Sequence, residues 1–440
     1  MLAELKAKFL GESDEGEVLR GAAIAFVLRG IGAVLAFALS VVVGRLLGAE
    51  GAGLYFLSLS IVTIASVVAR FGLDNSLLRF IASAASLGEW ARVKGVRRLA
   101  MGMGTIAGLL TAAAIIIFAH EIALHAFGQP QLGPVLRAMG AASFGLPLMM
   151  LNAESLKGLK RIAAAVCVSS IIFPSVALLT IYPLVAAMGP SGAAAAYGLG
   201  VLIAAAIGWL LWHFFMRGHA ADVPKFAISE LWASCRPLWV MAIVTKAVMP
   251  WAALLILGFF AAPADTGIYG AAARIAGLVT FILLTVNTAI SPKFGELYAK
   301  GEIEQLGRIA RRFALVVALI ASPLLVLLIF AGGFVISMFG PEFVRGGTAL
   351  AILALGQAFS ALCGSAGSLL IMTGHVTQVR NAALVGGGLV VGLSVLLIPM
   401  YNLIGAAIAT AVSIAIMNLI YVIQIKRALG FVVIPIWRAK

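Results

Sequence analysis

The sequence predicts an all-α integral membrane protein with twelve transmembrane helices in two parallel-repeat, six-helix lobes around a central cavity. Composition, long apolar runs and an internal repeat support this prediction. Of the 440 residues, 62% are hydrophobic and 11% are charged, and the mean hydropathy is +1.11. A soluble domain is about 45–50% apolar and about 25% charged. The polar residues are too few to cover a globule in water, which indicates a protein of the lipid bilayer.

The apolar runs are about 20 residues long, which is enough for a helix to cross the ~30 Å hydrocarbon layer. They are continuous and do not alternate, so they favour helices over a β-barrel. Two more polar segments, 77–98 and 291–312, are predicted as amphipathic helices at the membrane surface. The twelve predicted spans are 21–44, 53–75, 99–119, 135–156, 162–186, 193–216, 237–259, 267–290, 313–338, 346–372, 381–399 and 403–425.

An internal repeat relates the two halves of the chain. Three short segments recur in the same order, with offsets of 214, 213 and 214 residues: Gly53–Tyr55 with Gly267–Tyr269, Gly88–Glu89 with Gly301–Glu302, and Arg97–Arg98 with Arg311–Arg312. Six spans per copy is an even number, so both copies enter the bilayer in the same direction. The predicted domains are an N-lobe at 1–217 (spans 1–6), a cytoplasmic linker at 218–236, and a C-lobe at 237–440 (spans 7–12).

The distribution of basic residues predicts the orientation. With the N-terminus in the cytoplasm, 24 of the 31 lysines and arginines lie in inner segments, three lie in outer loops, and four lie inside spans. This excess follows the positive-inside rule and places both termini in the cytoplasm. The net charge of +14 needs no nucleic-acid partner, because anionic lipids of the inner leaflet are sufficient to explain it.

Two stretches resemble a known family. GRLLGAEGAGLYFLSLSIVTIASVVARFGLDNSLLRFIA at 44–82 and SPKFGELYAKGEIEQLGRIARR at 291–312 are similar to segments of polysaccharide-biosynthesis membrane proteins. These proteins are oligosaccharide flippases of the multidrug/oligosaccharidyl-lipid/polysaccharide exporter superfamily. The resemblance implies a transporter, not an enzyme. It would move a lipid-pyrophosphate-linked oligosaccharide from the inner to the outer leaflet by alternating access, for cell-surface polysaccharides such as the lipopolysaccharide O-antigen.

The resemblance also implies a location and partners. The location is the bacterial cytoplasmic (inner) membrane, which the chain crosses several times. The expected partners are the lipid-linked oligosaccharide and membrane lipids, with a polysaccharide polymerase and glycosyltransferases as further candidates. A monomer without cofactor or metal is expected. The histidines and the three cysteines form no metal-spaced cluster, and no Walker motif for ATP occurs.

Four basic residues lie inside predicted spans, where each centred charge costs about 2.5–3.5 kcal/mol on insertion scales. Arg29, Lys246 and Arg274 lie near mid-membrane depth, too deep to reach the interface easily. Guanidinium and ammonium groups supply the fixed positive charge that a pyrophosphate needs. We therefore predict that these three residues bind the pyrophosphate in the cavity. The alternatives are pairing with carbonyls at helix ends and local distortion of the bilayer.

The fourth residue, Arg70, precedes Asp74 by four residues. This spacing predicts an ion pair on one helical face, although Gly72 can break the helix between them. Arg79 is a second candidate partner of Asp74. The pair is interpreted as structural, and an inner gate or an acid that titrates is the alternative. Asn152 and Asn287 are lesser cavity candidates, because buried amides in membranes usually join helices.

Two other functions compete with the flippase. A cation-coupled multidrug exporter of the same superfamily usually needs buried carboxylates, and spans 1 and 7 contain no aspartate or glutamate. A membrane polymerase or ligase of glycans should carry polar catalytic groups on a long outer loop. Here the outer acids Glu50, Glu121, Asp265 and Glu342 stand singly on different short loops.

Overall fold

The computed structural model describes residues 14–219 and 228–434, which form helices without any β-strand in those ranges. Predominantly apolar segments adopt helices in a membrane because all backbone hydrogen bonds are then made within the segment. The helices are α1 Asp14–Ala69, α2 Leu73–Ser86, α3 Trp90–Glu121, α4 Leu132–Gly158, α5 Ile162–Val166, α6 Phe173–Met188, α7 Pro190–Phe215, α8 Ile228–Ala242, α9 Met249–Phe260, α10 Pro263–Ala299, α11 Ile303–Phe330, α12 Gly332–Ile336, α13 Gly347–Cys363, α14 Ala366–Met372 and α15 Val376–Leu429.

Ten helical segments of the described chain are long and apolar enough to cross a membrane. Two of them, with 44 and 54 residues, would measure about 65 and 80 Å if straight, more than twice the thickness of a bilayer core. Each is broken by one residue with non-helical dihedral angles: Gly48 in α1 (φ 66°, ψ −175°) and Asn402 in α15 (φ 45°, ψ −123°). A chain that crosses the membrane many times is thus established, and twelve crossings stay a prediction.

The repeated Gly–Glu segment forms the same turn in both halves. Gly88 and Gly301 have φ values of 72° and 75°, in the left-handed region that favours glycine. The Glu89 amide donates to the Ala84 carbonyl at 2.9 Å, and the equivalent amide of Glu302 donates to the carbonyl of Leu297 at 3.0 Å. The repeat seen in the sequence is therefore also a repeat of backbone structure.

The turns correct the two predicted surface helices. Segment 291–312 is not one helix, because Gly301 ends α10 and the chain re-enters a helix at Ile303. Segment 77–98 is likewise divided, between the short helix α2 and the first turns of α3. A glycine in the left-handed conformation ends a helix even where the surrounding sequence pattern would continue it.

The described chain divides into two compact units that are discontinuous in sequence. The first unit comprises Met1–Leu39, Ala65–Ile122 and Gln131–Val240, and the second comprises Ser40–Ile64, Ala123–Pro130 and Met241–Lys440. One core of the first unit joins α2 to α3 and α8, through residues such as Leu77, Val96 and Leu231. One core of the second joins α10, α11, α14 and α15. Residues 220–227 of the predicted linker and both chain ends lie outside the described residues.

Within the second unit, the two repeated glycines pack against each other. A Cβ added to Gly53 would lie 1.8 Å from the Pro263 carbonyl oxygen, and one added to Gly267 would lie 2.0 Å from that of Ala49. The contact is reciprocal, because each added Cβ would also approach the backbone nitrogen of the other glycine, at 3.0 and 2.8 Å. Only glycine permits two helices to approach so closely. The motif that revealed the repeat thus marks a crossing of α1 and α10.

Candidate substrate-binding site and buried charges

Arg274 is held by aromatic and backbone groups in the second unit. Its guanidinium carbon lies 3.7 Å from the ring centroid of Phe56 and 5.7 Å from that of Trp251. Its Nη1 donates a hydrogen bond of 2.9 Å to the carbonyl of Gly270, one turn earlier in α10. A cation over an aromatic face gains about 0.5–2 kcal/mol, more where water is excluded. These contacts fix a positive charge within a membrane helix.

Gly270 and Phe56 make this arrangement possible. Phe56 is fully buried, and a Cβ on Gly270 would lie 2.4 Å from its ring carbon Cδ2. The missing side chain at Gly270 therefore lets the ring approach α10 closely, beside the arginine one turn further along. Sequence reasoning singled out Arg274 but missed both neighbours. The signal was the break in the repeat, where phenylalanine in one copy corresponds to glycine in the other.

Lys246 lies in a widened, π-helical turn, Ile243–Val248, and its side chain is exposed. Pro250 lacks the amide that would bond the carbonyl of Lys246 in an α-helix. The turn adapts because the amide of Met249 bonds to the carbonyl of Val244, five residues earlier. Such turns frequently occur at functional sites. The helix therefore accommodates Pro250 by forming a π-turn at Lys246.

Arg29 lies in α1, in the first unit, and is half-buried. Gly32, three residues further along α1, packs closely against Ser170. A Cβ added to Gly32 would lie 2.7 Å from the Cβ of Ser170. Ser170 belongs to a second π-helical turn, Cys167–Ile172, in which its hydroxyl lies 3.2 Å from that of Ser169. α1 therefore lies against a polar, widened turn at Gly32, one helical turn after Arg29. The predicted pyrophosphate role of Arg29, like those of Lys246 and Arg274, stays a prediction.

Arg70 and Asp74 form a buried ion pair in the first unit. Arg70 Nη1 lies 2.9 and 3.1 Å from the two carboxylate oxygens of Asp74, and its Nε donates to the carbonyl of Ser66. The helix does break between them, at Phe71 and Gly72, which have φ values of 48° and 72°. The geometry matches the structural interpretation of this pair, because both charges are satisfied next to a helix break.

The break at Gly72 is a docking point for α8. A Cβ on Gly72 would lie 2.7 Å from the backbone nitrogen of Trp239. The ring of Phe71 lies 5.3 Å from that of Trp239, whose indole nitrogen donates to the carbonyl of Val68. Arg79 donates to Ser234 of α8 at 2.9 Å. Arg79 therefore contributes to holding α8 against α2, next to the ion pair.

Arg97 is a buried charge that the sequence analysis did not single out. It lies in the segment 77–98, predicted as a surface helix, yet within α3, which begins at Trp90, it is only 6% exposed. Its Nη2 donates to Asn152 at 2.8 Å, and its guanidinium carbon lies 4.2 Å from the ring centroid of Trp212. The signal was the spacing of Val93, Val96 and Ala100, which indicates a buried helical face that includes position 97.

The two candidate amides both link helices. Besides accepting from Arg97, Asn152 donates to the carbonyl of Ala205 in α7 at 3.1 Å. Asn287 in α10 accepts a hydrogen bond from the hydroxyl of Ser365, which lies just before α14. These contacts are those expected of amides that join helices, and a cavity role for Asn152 and Asn287 stays a prediction. No group of three histidine, cysteine or acidic residues suited to a metal ion occurs in residues 14–219 and 228–434.

A comparison with known families decides the class of this fold. The model of the polysaccharide biosynthesis protein family matches residues 18–298, well over half of the chain. The chain belongs to this family. It is also 27% identical over 184 residues to a probable flippase, AglR, of Haloferax volcanii. That match covers 40% of the chain and 38% of AglR, so the chain spans well under half of this relative's length.

Solved structures of the exporter superfamily share the fold. An inward-facing multidrug resistance MATE transporter of that superfamily gives a TM-score of 0.74 at 14% identity, covering 93% of this chain and 98% of the transporter. The lipid II flippase MurJ in an inward closed conformation gives 0.69 at 15% identity, covering 91% of this chain and 87% of MurJ. At these identities the similarity establishes the fold alone. The family member is therefore a multi-pass membrane protein with the fold of flippases and exporters, as predicted.

Proposed function

We propose that the protein flips a lipid-pyrophosphate-linked oligosaccharide from the inner to the outer leaflet of the bacterial cytoplasmic membrane, for cell-surface polysaccharide synthesis. The observation that carries the proposal is Arg274, a cation fixed inside a span by Phe56 and by the carbonyl of Gly270. A diphosphate cannot enter hydrocarbon unaided, whereas a planar guanidinium offers paired donors to its oxygens. The family and the flippase relative support the same reaction class.

The charges inside the spans fit an anionic substrate better than a coupling cation. Neither the segment Leu238–Phe260, which contains Lys246, nor the segment of α1 around Arg29 contains an aspartate or glutamate. Of the four basic residues predicted within spans, Arg70 forms an ion pair with Asp74, and we propose a structural role for that pair. We assign the pyrophosphate to Arg29, Lys246 and Arg274, and we assign no catalytic step to the protein.

The proposed mechanism is alternating access by two six-helix lobes. In the inward-open state the pyrophosphate and sugars enter the cavity while the lipid chain stays in the bilayer. Rocking of the lobes then exposes the site to the outside. An inside-negative membrane potential favours outward movement of an anion, by about 2.3 kcal/mol per charge per 100 mV. Neither a nucleotide nor a cofactor is needed for this step.

The test is a flipping assay in proteoliposomes with a defined lipid-diphosphate-linked oligosaccharide. We expect Arg29→Ala, Lys246→Ala and Arg274→Ala each to reduce the initial rate more than tenfold while the proteins insert normally. Arg308→Ala is the matched control, because it also removes one positive charge, but from an exposed position paired with Glu304. Full activity in all three variants would reject the assignment of the site. Efflux of cationic drugs without flipping would favour the multidrug exporter.

A further inference from the structure

The connection between α12 and α13 lies against the break in α1. It consists of two short 3₁₀ turns, Ser337–Phe339 and Pro341–Gly346. Arg45 Nε donates to the carbonyl of Met338 at 2.8 Å, and Glu342 Oε2 accepts the amide of Ala49 at 2.8 Å. Both contacts join positions 293 residues apart in the sequence. The connection thus reaches a corner that the chain formed in its first fifty residues.

Glu342 acts as an N-terminal cap supplied from elsewhere in the chain. Gly48 is non-helical, so a new helical segment starts at Ala49, and its first amides have no partner within that segment. A carboxylate at this position accepts an amide hydrogen bond and also interacts favourably with the positive end of the helix dipole. The added Cβ of Gly48 would lie 3.1 Å from the same carboxylate oxygen. The backbone at Gly48 and Ala49 therefore leaves room for the Glu342 carboxylate and offers it an amide donor.

Packing strengthens this contact. A Cβ on Gly44 would lie 2.8 Å from Phe339 Cδ1 and 3.1 Å from Phe339 Cβ, so the ring lies directly on the backbone of α1. Phe339 and Phe343 are both fully buried. Arg345 forms an ion pair of 3.1 Å with Asp265 in the first turn of α10. The connection is thereby attached both to the corner at Gly48 and to the start of α10.

A second contact of the same kind lies at the start of the α9–α10 connection. Gln129 Nε2 donates to the carbonyl of Gly258 at 3.1 Å, which satisfies a carbonyl in the last turn of α9. The rings of Phe127 and Phe259 stack with centroids 4.2 Å apart. Here a connection from the first half of the sequence caps a helix from the second half, the reverse of the arrangement at Glu342. These contacts explain why Ser40–Ile64 and Ala123–Pro130 belong to the second unit.

We propose that these contacts form a latch, defined as Arg45, Ala49, Gln129, Met338 and Glu342, which keeps the predicted outer side closed and must open for the substrate to leave. Every part of it lies at connections that the charge distribution places outside. Each link is a helix cap or a single hydrogen bond, which water replaces at small cost when the connections separate. The Glu342 carboxylate is the link that controls release. The identity of the released substrate rests on the proposed function, whereas the opening of the latch does not.

A disulfide across the latch tests whether it must open. In a background with Cys167, Cys235 and Cys363 replaced by alanine, Gly44→Cys and Phe339→Cys place their Cβ atoms about 3.1 Å apart. A disulfide spans about 3.5–4.5 Å, so a small shift permits the bond. We expect oxidation to lower flipping more than tenfold and a reducing agent to restore it. Gly44→Ser with Phe339→Cys is the control. Unchanged flipping by the fully cross-linked protein would overturn the latch.

A labelling experiment tests the latch without any substrate. The thiol of Phe339→Cys in the same background is buried while the latch is closed, and it reacts with a membrane-impermeant maleimide when the latch opens. We expect Glu342→Ala to raise the labelling rate about tenfold and Glu342→Gln to raise it less, because an amide oxygen still accepts the Ala49 hydrogen bond. Glu304→Ala, at an exposed site, should change nothing. Equal rates in all variants would overturn the latch. Faster labelling in a protein that flips no oligosaccharide would retain the latch and reject the proposed function.

Discussion

The two copies of the repeat share a helix crossing and differ in the chemistry that follows it. In both copies a glycine makes the close contact between α1 and α10, and a buried tyrosine follows two residues later. In the next turn the copies diverge: Phe56 corresponds to Gly270, and Ser60 corresponds to Arg274. The differences are complementary. The Phe56 ring of the first copy fills the space beside Gly270 of the second copy, and it also contacts the guanidinium of Arg274. The residues shared by the two copies determine how the helices pack, and the residues that differ between the copies place a charge there.

The buried ion pair of Arg70 and Asp74 occurs in the first copy alone. Substitutions in this pair should give the largest loss of stability. Positions 284 and 288, the equivalents of Arg70 and Asp74, are leucine and threonine. Arg70→Leu or Asp74→Thr alone removes one partner of the buried ion pair and keeps the other charge buried, so each should destabilise the protein by about 3–5 kcal/mol. The double variant adopts the other copy's residues and should recover more than half of that loss. Thermal unfolding in detergent measures this, and a double variant as unstable as the worse single one would refute the pairing.

The shared glycines should give the next largest effect. Gly53→Ala or Gly267→Ala places a Cβ within about 2 Å of a carbonyl oxygen, so the helices must separate, at a cost of about 3 kcal/mol. Gly277→Ala is the matched control, because nothing lies within 4 Å of its added Cβ. We expect a clear fall in the unfolding temperature for the first two variants and none for the third. A fall of the same size in all three would contradict the crossing.

The repeated arginines sharpen the comparison further. Arg97 is buried against Asn152 and Trp212, whereas its equivalent, Arg311, is only half-buried. Arg97→Ala removes a hydrogen bond from a charged donor and leaves the Asn152 oxygen without it, which should cost about 2 kcal/mol. Arg311→Ala should cost less than about 0.5 kcal/mol. The same unfolding measurement compares the two, and equal losses would show that burial does not distinguish the copies.

A double-mutant cycle at Phe56 and Gly270 should show the smallest effect. Gly270→Ala alone presses a methyl group onto the Phe56 ring, whereas Phe56→Ala leaves room for that methyl group. The double variant should therefore be more stable than the sum of the two losses predicts, by about 1 kcal/mol. Strict additivity of the two unfolding free energies would mean that the ring and the glycine do not depend on each other.

Much of this organisation could be predicted because it depends on patterns that are visible along the sequence. Hydropathy located the apolar helices, and the equal spacing of Gly53 and Gly267 indicated the repeat. The i,i+4 spacing of Arg70 and Asp74 indicated their ion pair, which forms despite the break at Gly72. Each of these features depends on residues close in sequence or on a fixed offset.

The features that could not be predicted depend on contacts between distant segments. Nothing in the neighbourhood of Glu342 indicates that it caps Ala49, because the unpaired amide arises from the break at Gly48. The burial of Arg97 was not foreseen because it depends on the start of α3 after the turn at Gly88 and on the contact with Asn152 of α4, whereas the apolar run begins later. Phe56 and Gly270 acquire meaning only when their helices cross.

The most direct test of the account concerns the charge at Arg274, which the second copy has and the first lacks. Binding of a water-soluble, short-chain lipid diphosphate to the purified protein should weaken about tenfold or more in Arg274→Ala. It should weaken less in Arg274→Lys, which keeps the charge but loses the guanidinium that lies over the Phe56 ring. The corresponding monophosphate should lose less affinity than the diphosphate in the alanine variant. Equal affinity of the wild type and Arg274→Ala for the diphosphate would contradict the account.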